Sequence, residues 1–199
     1  MTWQIYNSSG LKANIRNIFI LHTDTFESFE IMLNFGNHKT KFIMRWRKFD
    51  GTTIEKPLLE AVKETLVRET EAGNRMKVCI GTDSEVRQDG VEFATVIVFL
   101  REKKGGFMYI RNQHSNKPMS LKERMISEVS MSVEVAYSLC DMLDMHDVGL
   151  EVHADINTDP HFKSNEALKE AMGYILGMGF VFKAKPDAFA SSNCADKVV

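Results

Sequence analysis

Three features of the chain predict an α/β fold with one mixed five-stranded sheet, ordered βββαβαβα and covered by helices on both faces. Two hairpins follow one another: a strand over 77–83, the turn Arg87-Gln88-Asp89-Gly90, a strand over 91–101, the turn Lys103-Lys104-Gly105-Gly106 and a strand over 107–112. The middle strand is apolar on both faces, Phe93, Ile97 and Phe99 against Ala94, Val96 and Val98, so both sides must be covered. Helical patterns precede each of the two later strands, 148–155 and 180–185, which requires parallel crossovers of right-handed sense.

Local signals supply the helices. One is predicted from Lys56: Pro57 suits a first turn, Leu58, Leu59, Val62, Leu66 and Val67 recur at helical spacing, and Glu71-Ala72-Gly73-Asn74 is the stop. Ser120 followed three residues later by Glu123 makes a capping box. Behind it, Met125, Val129, Val133, Ala136, Cys140 and Leu143 mark the buried stripe of a helix reaching about Met145. Residues 165–177 read as a helix stopped by Gly177 and Gly179, and Pro186-Asp187-Ala188 opens a last one. Residues 1–43 hold strand-like runs at 17–21 and 29–35 but no chemical motif. The chain therefore divides into an N-terminal extension (1–43), a lead-in segment with a helix (44–75) and a main domain (76–199).

A formal net charge of −2 supplies no global attraction to nucleic acid or to an anionic membrane, so any such partner has to be argued locally. One local candidate is the cluster of His38, Lys39, Lys41, Arg45, Arg47 and Lys48 around Phe42 and Trp46, able to hold a nucleic-acid backbone and stack bases, and equally a solvated surface. Cys79, Cys140 and Cys194 lie in apolar patterns without C-x-x-C spacing, as small core residues of a reducing compartment. The apolar run 18–21 is too short for a signal peptide and 94–100 too short to span a bilayer, so a cytoplasmic location without a membrane is expected.

The chemistry concentrates around Lys77-Val78-Cys79-Ile80-Gly81-Thr82-Asp83-Ser84. A buried strand ends there in a small-residue turn and delivers one carboxylate, Asp83, where a ligand or metal would need room. Asp and Ser also serve strand exits by bonding local backbone, with no ligand involved. Two later runs add carboxylates: Val152-His153-Ala154-Asp155-Ile156-Asn157, and Lys185-Pro186-Asp187-Ala188-Phe189-Ala190 followed by Ala195-Asp196-Lys197.

In this order the three runs resemble the ribonuclease-H-like fold and, more narrowly, the uncharacterised bacterial YkuK-like family within it, over about 45–199. The resemblance makes 76–199 a ribonuclease-H-like domain whose first and fourth strands are adjacent and parallel. Asp83 and Asp155 would then leave the same sheet end on strands about 4.8 Å apart. A third carboxylate is implied on the first long helix, where Glu128 is preferred because Glu123 has a capping role, and a fourth, Asp187, at the start of the last helix. The implied activity is hydrolysis of nucleic-acid phosphodiesters (RNA, DNA or hybrid), with Asp83, Glu128, Asp155 and Asp187 as catalytic metal ligands for Mg2+ or Mn2+. Four gathered carboxylates repel unless cations neutralise them, and hard divalent ions prefer oxygen ligands. Two such ions roughly 4 Å apart suit phosphodiester displacement. Lys183 and Lys185, near the same end, would contact substrate phosphate or stand solvated.

Other readings compete. Asp155-Ile156-Asn157-Thr158-Asp159 with Glu166 echoes a calcium loop, but Pro160 stands where that loop needs glycine, and Asx turns explain the same residues. His153 shares strand parity with Asp155 and would line the site, whereas His114, His146 and His161 lack a zinc spacing. Actin-like nucleotide-binding proteins share the topology but bind between two such domains, and the length here suits one. A non-catalytic nucleic-acid or protein binding module on the same fold is the remaining alternative.

Met44 heads a segment that would itself serve as a protein start, so mis-assigned initiation is an expectation for residues 1–43. A chain beginning at Met44 should unfold in denaturant as cooperatively as the full chain. A broadened or vanished transition would show that the extension belongs to the core.

Overall fold

The structure, a computed structural model, describes residues 45–199 except the side chain of Glu166; the runs at 17–21 and 29–35, and His38, Lys39, Lys41 and Phe42, lie outside the described residues. The elements are β1 (Trp46–Lys48), β2 (Thr53–Ile54), α1 (Leu58–Glu71), β3 (Met76–Arg87), β4 (Gly90–Arg101), β5 (Gly105–Ser115), α2 (Leu121–Met145), β6 (Gly149–Asn157), α3 (Leu168–Gly177) and β7 (Val181–Lys185). A short π-helix, Ala190–Ala195, follows. The strands form one mixed sheet in the order β2-β1-β5-β4-β3-β6-β7. β3, β4 and β5 are antiparallel neighbours, while β6 runs parallel to β3 and β7 parallel to β6. The expected five-stranded core is therefore present. β1 and β2 extend it beyond β5, in the lead-in segment where only a helix was expected.

Trp46 is 6% exposed, with the Arg111 guanidinium 5.1 Å above its ring, so its indole is a core residue and not a base-stacking platform. On α1 the buried residues are Ala61, Val62, Thr65, Leu66 and Glu69, and Val67 faces outward. Glu69 is the exception to an apolar stripe, and it is matched: Arg101 on β4 donates to both its oxygens at 2.7 and 2.9 Å. That fork holds the Glu69 carboxyl down at about 2 and ties α1 to the sheet. No helix among the described residues is long and apolar enough to cross a membrane.

α2 begins at the expected capping box, in which Ser120 Oγ accepts from the Glu123 N–H and Glu123 accepts from the Ser120 N–H. Its stripe is buried as expected except at Cys140, which is partly exposed, with Leu139 and Met142 facing the sheet beside it. The predicted helix at 165–177 is a 3-10 turn, Lys163–Ala167, continued by α3, and Gly179 in the left-handed region (φ 83°) leads the chain away.

The sheet separates two cores of unequal thickness. α1, α2 and α3 pack on one face against Val78, Ile80, Ile97, Phe99, Val152 and Ile156. Among the described residues, the π-helix and its neighbours alone cover the other face, over Cys79, Val96, Val98 and Ile110. β3 does not turn at 81–84 as expected but runs straight on to Arg87, paired residue by residue with β4. The small side chain at 81 has a different cause. A Cβ on Gly81 would lie 2.4 Å from the Ser191 backbone N and 2.7 Å from the Ala190 carbonyl carbon. Glycine lets the π-helix backbone lie directly on the strand.

Gly81→Ala should therefore destabilise the protein by about 3 kcal/mol or more, because backbone and not a flexible side chain blocks the added methyl. Gly149→Ala is the control: its Cβ would meet only Lys77 Cγ at 3.9 Å. That change should stay within about 0.5 kcal/mol. Equal denaturant midpoints for the two variants would refute the close approach.

Candidate carboxylate site

Asp83 and Asp155 come together because of the parallel pairing of β3 and β6. The register runs from Lys77↔Gly149 to Thr82↔Ala154 and stops there, so the next residue on each strand is one of the two aspartates, where the strands part. Carboxyl ends of adjacent parallel strands are where open α/β sheets present ligand-binding groups.

α2 brings the third carboxylate. Ser132 bonds Thr82 at 2.8 Å, which in turn bonds Thr95 at 3.1 Å, and these buried hydroxyls set the helix against β3. One turn earlier on α2, Glu128 is 3% exposed, and Ser84 Oγ donates to its Oε1 at 2.5 Å. Arg124, another turn earlier, donates to Ser84 Oγ at 2.8 Å and to the Ser84 carbonyl at 3.0 Å. Glu123, the other helix candidate, is occupied by its cap.

The three acids act on one another. Burial pushes Asp83 up to about 6; the Ser84 backbone opposes this, Asp155 and Asp196 add to it, and Lys185 counters it. Burial pushes Glu128 higher, to about 8, with the Ser84 hydroxyl and Arg124 opposing and Asp83 and Asp155 adding to the rise. Asp155 has a buried Oδ1 that makes no hydrogen bond. Lys185 Nζ stands 2.7 Å from that oxygen as an ion pair, outside hydrogen-bonding direction.

Asp187 is exposed, its backbone N–H turned back to the Ala184 carbonyl at 2.8 Å, and it is not among the largest influences on Asp83 or Glu128. The C-terminal carboxylate that does act on Asp83 is Asp196, at the C-terminal cap of the π-helix. Sequence reasoning missed Asp196 because it sought an acid at the start of the last helix. The helix begins over Gly81 and His153 and travels toward Asp83, so its far end returns to the cluster. The available signal was the run Ala195-Asp196-Lys197.

A second group, Cys79, Glu151 and His153, has ligand atoms all within 4.8 Å of one another. It is a polar staple, not a metal site. His153 Nδ1 accepts the Ala190 N–H at 3.1 Å, so the neutral ring carries its proton on Nε2, aimed at Glu151 Oε2 at 3.2 Å. A metal on Nε2 would force that proton to Nδ1, against the Ala190 N–H. Both Glu151 oxygens also accept from Lys77 at 3.1 Å, and burial pushes the Cys79 thiol up to about 12. His153 is thus 1% exposed and structural, and does not line the site as expected.

The calcium-loop residues serve local turns: Asn157 Oδ1 accepts from the Asp159 N–H, and Asp159 Oδ1 from the His161 N–H, both at 2.9 Å. His161 pairs with Asp159 and His114 with Glu92, at 2.7 and 2.6 Å.

The ribonuclease H-like family model matches residues 58–199, beginning at α1. Among curated proteins, the uncharacterized protein YkuK of Bacillus subtilis (strain 168) is 31% identical over 132 residues, 59% of this chain and 76% of the relative. No solved structure matches.

Because folding raises the pKa of Asp83 and Glu128, the folded state holds their protons longer than the unfolded chain does. Metal-free stability is untouched below the ordinary carboxylate range, where both states are protonated. It falls as pH rises toward about 6 for Asp83 and about 8 for Glu128. In chelator, Asp83→Asn should remove the lower part of this loss and Glu128→Gln the upper part, each on the order of 1–3 kcal/mol. Urea unfolding across that pH range reads it. A wild-type stability that climbs through the range would contradict the assignment.

Proposed function

Because the chain belongs to the ribonuclease H-like family, we propose that it hydrolyses phosphodiester bonds of nucleic acid (RNA, DNA or a hybrid) with divalent cations held by carboxylates. The observation that carries this reading is the meeting of Asp83 and Asp155 from adjacent parallel strands, with Glu128 buried beside them. The donors are all oxygens, which suits Mg2+ or Mn2+, ions of the two-metal phosphodiesterase class. The buried Oδ1 of Asp155 makes no hydrogen bond and meets the Lys185 ammonium as an ion pair at 2.7 Å, so a metal cation would have to take that place.

Bound there, such ions supply Lewis-acid polarisation of a phosphate and neutralise charge on the leaving oxygen. The chain's own groups do the rest. Asp83 and Asp155 offer oxygens at the mouth of the strand pair. Glu128 joins them once it gives up its proton, which nearby positive charge favours. Ser84 and Arg124 hold Glu128 in place, and Asp196 completes the set in preference to Asp187.

A non-catalytic nucleic-acid or protein binding module is the second reading, and one observation favours it: Lys185 already supplies a positive charge to Asp155.

With Mn2+ the wild type should cleave at least one of single-stranded, duplex and hybrid substrates. Asp83→Asn and Asp155→Asn should each lose roughly a hundred-fold or more, the scale of losing a transition-state charge stabiliser. Metal at a hundred times its Kd should stabilise the wild type by about 2.7 kcal/mol, and Asp196→Asn should reduce that gain more than Asp187→Asn. The reverse order would return the role to Asp187. No cleavage of any substrate, together with no divalent-ion binding by calorimetry, would leave only the binding module.

A further inference from the structure

We infer that Lys185 is a built-in counter-ion of the acidic cluster, seated on Asp155 until a divalent cation displaces it and then free to hold a phosphate oxygen of the substrate. The displacement and the phosphate contact rest on the nuclease reading above; the counter-ion role does not.

The pairing of β6 with β7 is irregular at this point. Glu151↔Val181, Val152↔Phe182 and His153↔Lys183 are in step, but the next partners are Asn157↔Lys185. Four residues advance on β6 for two on β7, so Asp155 lies inside a bulge, a distortion that re-aims side chains near functional sites. In step, Asp155 and Lys185 would be a flat cross-strand pair. Instead the Lys185 backbone stands opposite Asn157, and the ammonium reaches back to Asp155 with the tip of its side chain.

That contact is close but not locked. The Lys185 side chain is 41% exposed against 17% for Asp155, and the oxygen it approaches at 2.7 Å accepts no hydrogen bond. The same ammonium also acts on Asp83, so one flexible charge serves both strand-end aspartates. Two other cations nearby are held differently. Lys77 is shared between both oxygens of Glu151, and Arg124 is held by two hydrogen bonds to Ser84. A lysine is a compact point charge on a flexible stem, suited to yielding a carboxylate to a doubly charged ion and then meeting a phosphate.

The test uses the full chain with Lys185→Met and Lys185→Arg. In chelator at neutral pH, Lys185→Met should unfold at lower denaturant than the wild type, and Lys185→Arg should recover most of the loss. The Lys185→Met effect should vanish in an Asp155→Asn background. Mg2+ titrated calorimetrically without nucleic acid should bind Lys185→Met more tightly than wild type, roughly ten-fold, since a competing unit charge is gone. A labelled phosphorothioate oligonucleotide in saturating Mg2+ should bind Lys185→Met several-fold more weakly. A lysine with a merely structural role would not tighten Mg2+ binding. If the wild type binds Mg2+ and Lys185→Met binds it no better, the displacement is wrong while the metal site stands. If neither binds Mg2+, the displacement and the nuclease reading fall together. A chelator effect that persists in Asp155→Asn would overturn the counter-ion role itself.

Discussion

The contact on which this fold depends is the seating of the C-terminal π-helix directly on β3 at Gly81. A single methyl there would intrude to 2.4 Å from backbone, so the helix position is set by steric exclusion and not by side-chain fit. The Ala190 N–H bonded to His153 Nδ1 adds direction to that contact. Together they close the thin side of the sheet over Cys79, Val96, Val98 and Ile110, which no other helix covers among the described residues. They also aim the helix along β3, so that the residue capping its C-terminus, Asp196, is felt by Asp83. One glycine thus links the core on that face to the electrostatics of the strand ends.

The two polar groups of β3 and β6 show how neighbouring residues of the same strands reach opposite outcomes. Cys79, Glu151 and His153 form a closed set: each hydrogen has an acceptor, and Lys77 neutralises the carboxylate. Further along the same strands, Asp83 and Asp155 have passed the end of their pairing and gather like charges in a half-buried place. Burial raises the Glu128 pKa and so favours its uncharged form, and the ammonium of Lys185 faces Asp155. Such an arrangement is the electrostatic ground of the cation binding proposed above.

Much of this was legible in the chain. The two hairpins, the doubly apolar β4, the capping box at Ser120 and the helical crossovers before β6 and β7 follow from turn chemistry and hydrophobic period, which are local properties, while the placing of β6 beside β3 came from the family resemblance. The capping role of Glu123 was local too, and it is present in the bonds between Glu123 and Ser120. Other assignments failed where neighbours distant in sequence decided. Trp46 in a basic run looked like a surface aromatic, and only Arg111 from β5, stacked above it, shows it to be core. Gly81 read as room for a ligand, and the space is filled by a helix more than a hundred residues later.

By itself, then, the sequence determined the five core strands and the helices of the main domain but not β1 and β2, and its resemblance to a known fold implied that Asp83 and Asp155 leave neighbouring parallel strands together. Only the tertiary structure decided that His153 faces Ala190 rather than the cleft, and that Asp196 is among the charges acting most on Asp83. It alone set Lys185 against Asp155 across a bulge. The reason is physical: periodicity fixes which face a residue takes, but a side chain's partner depends on where another segment crosses that face. Crossing points come from close packing, a property of the assembled chain and of no single stretch of it.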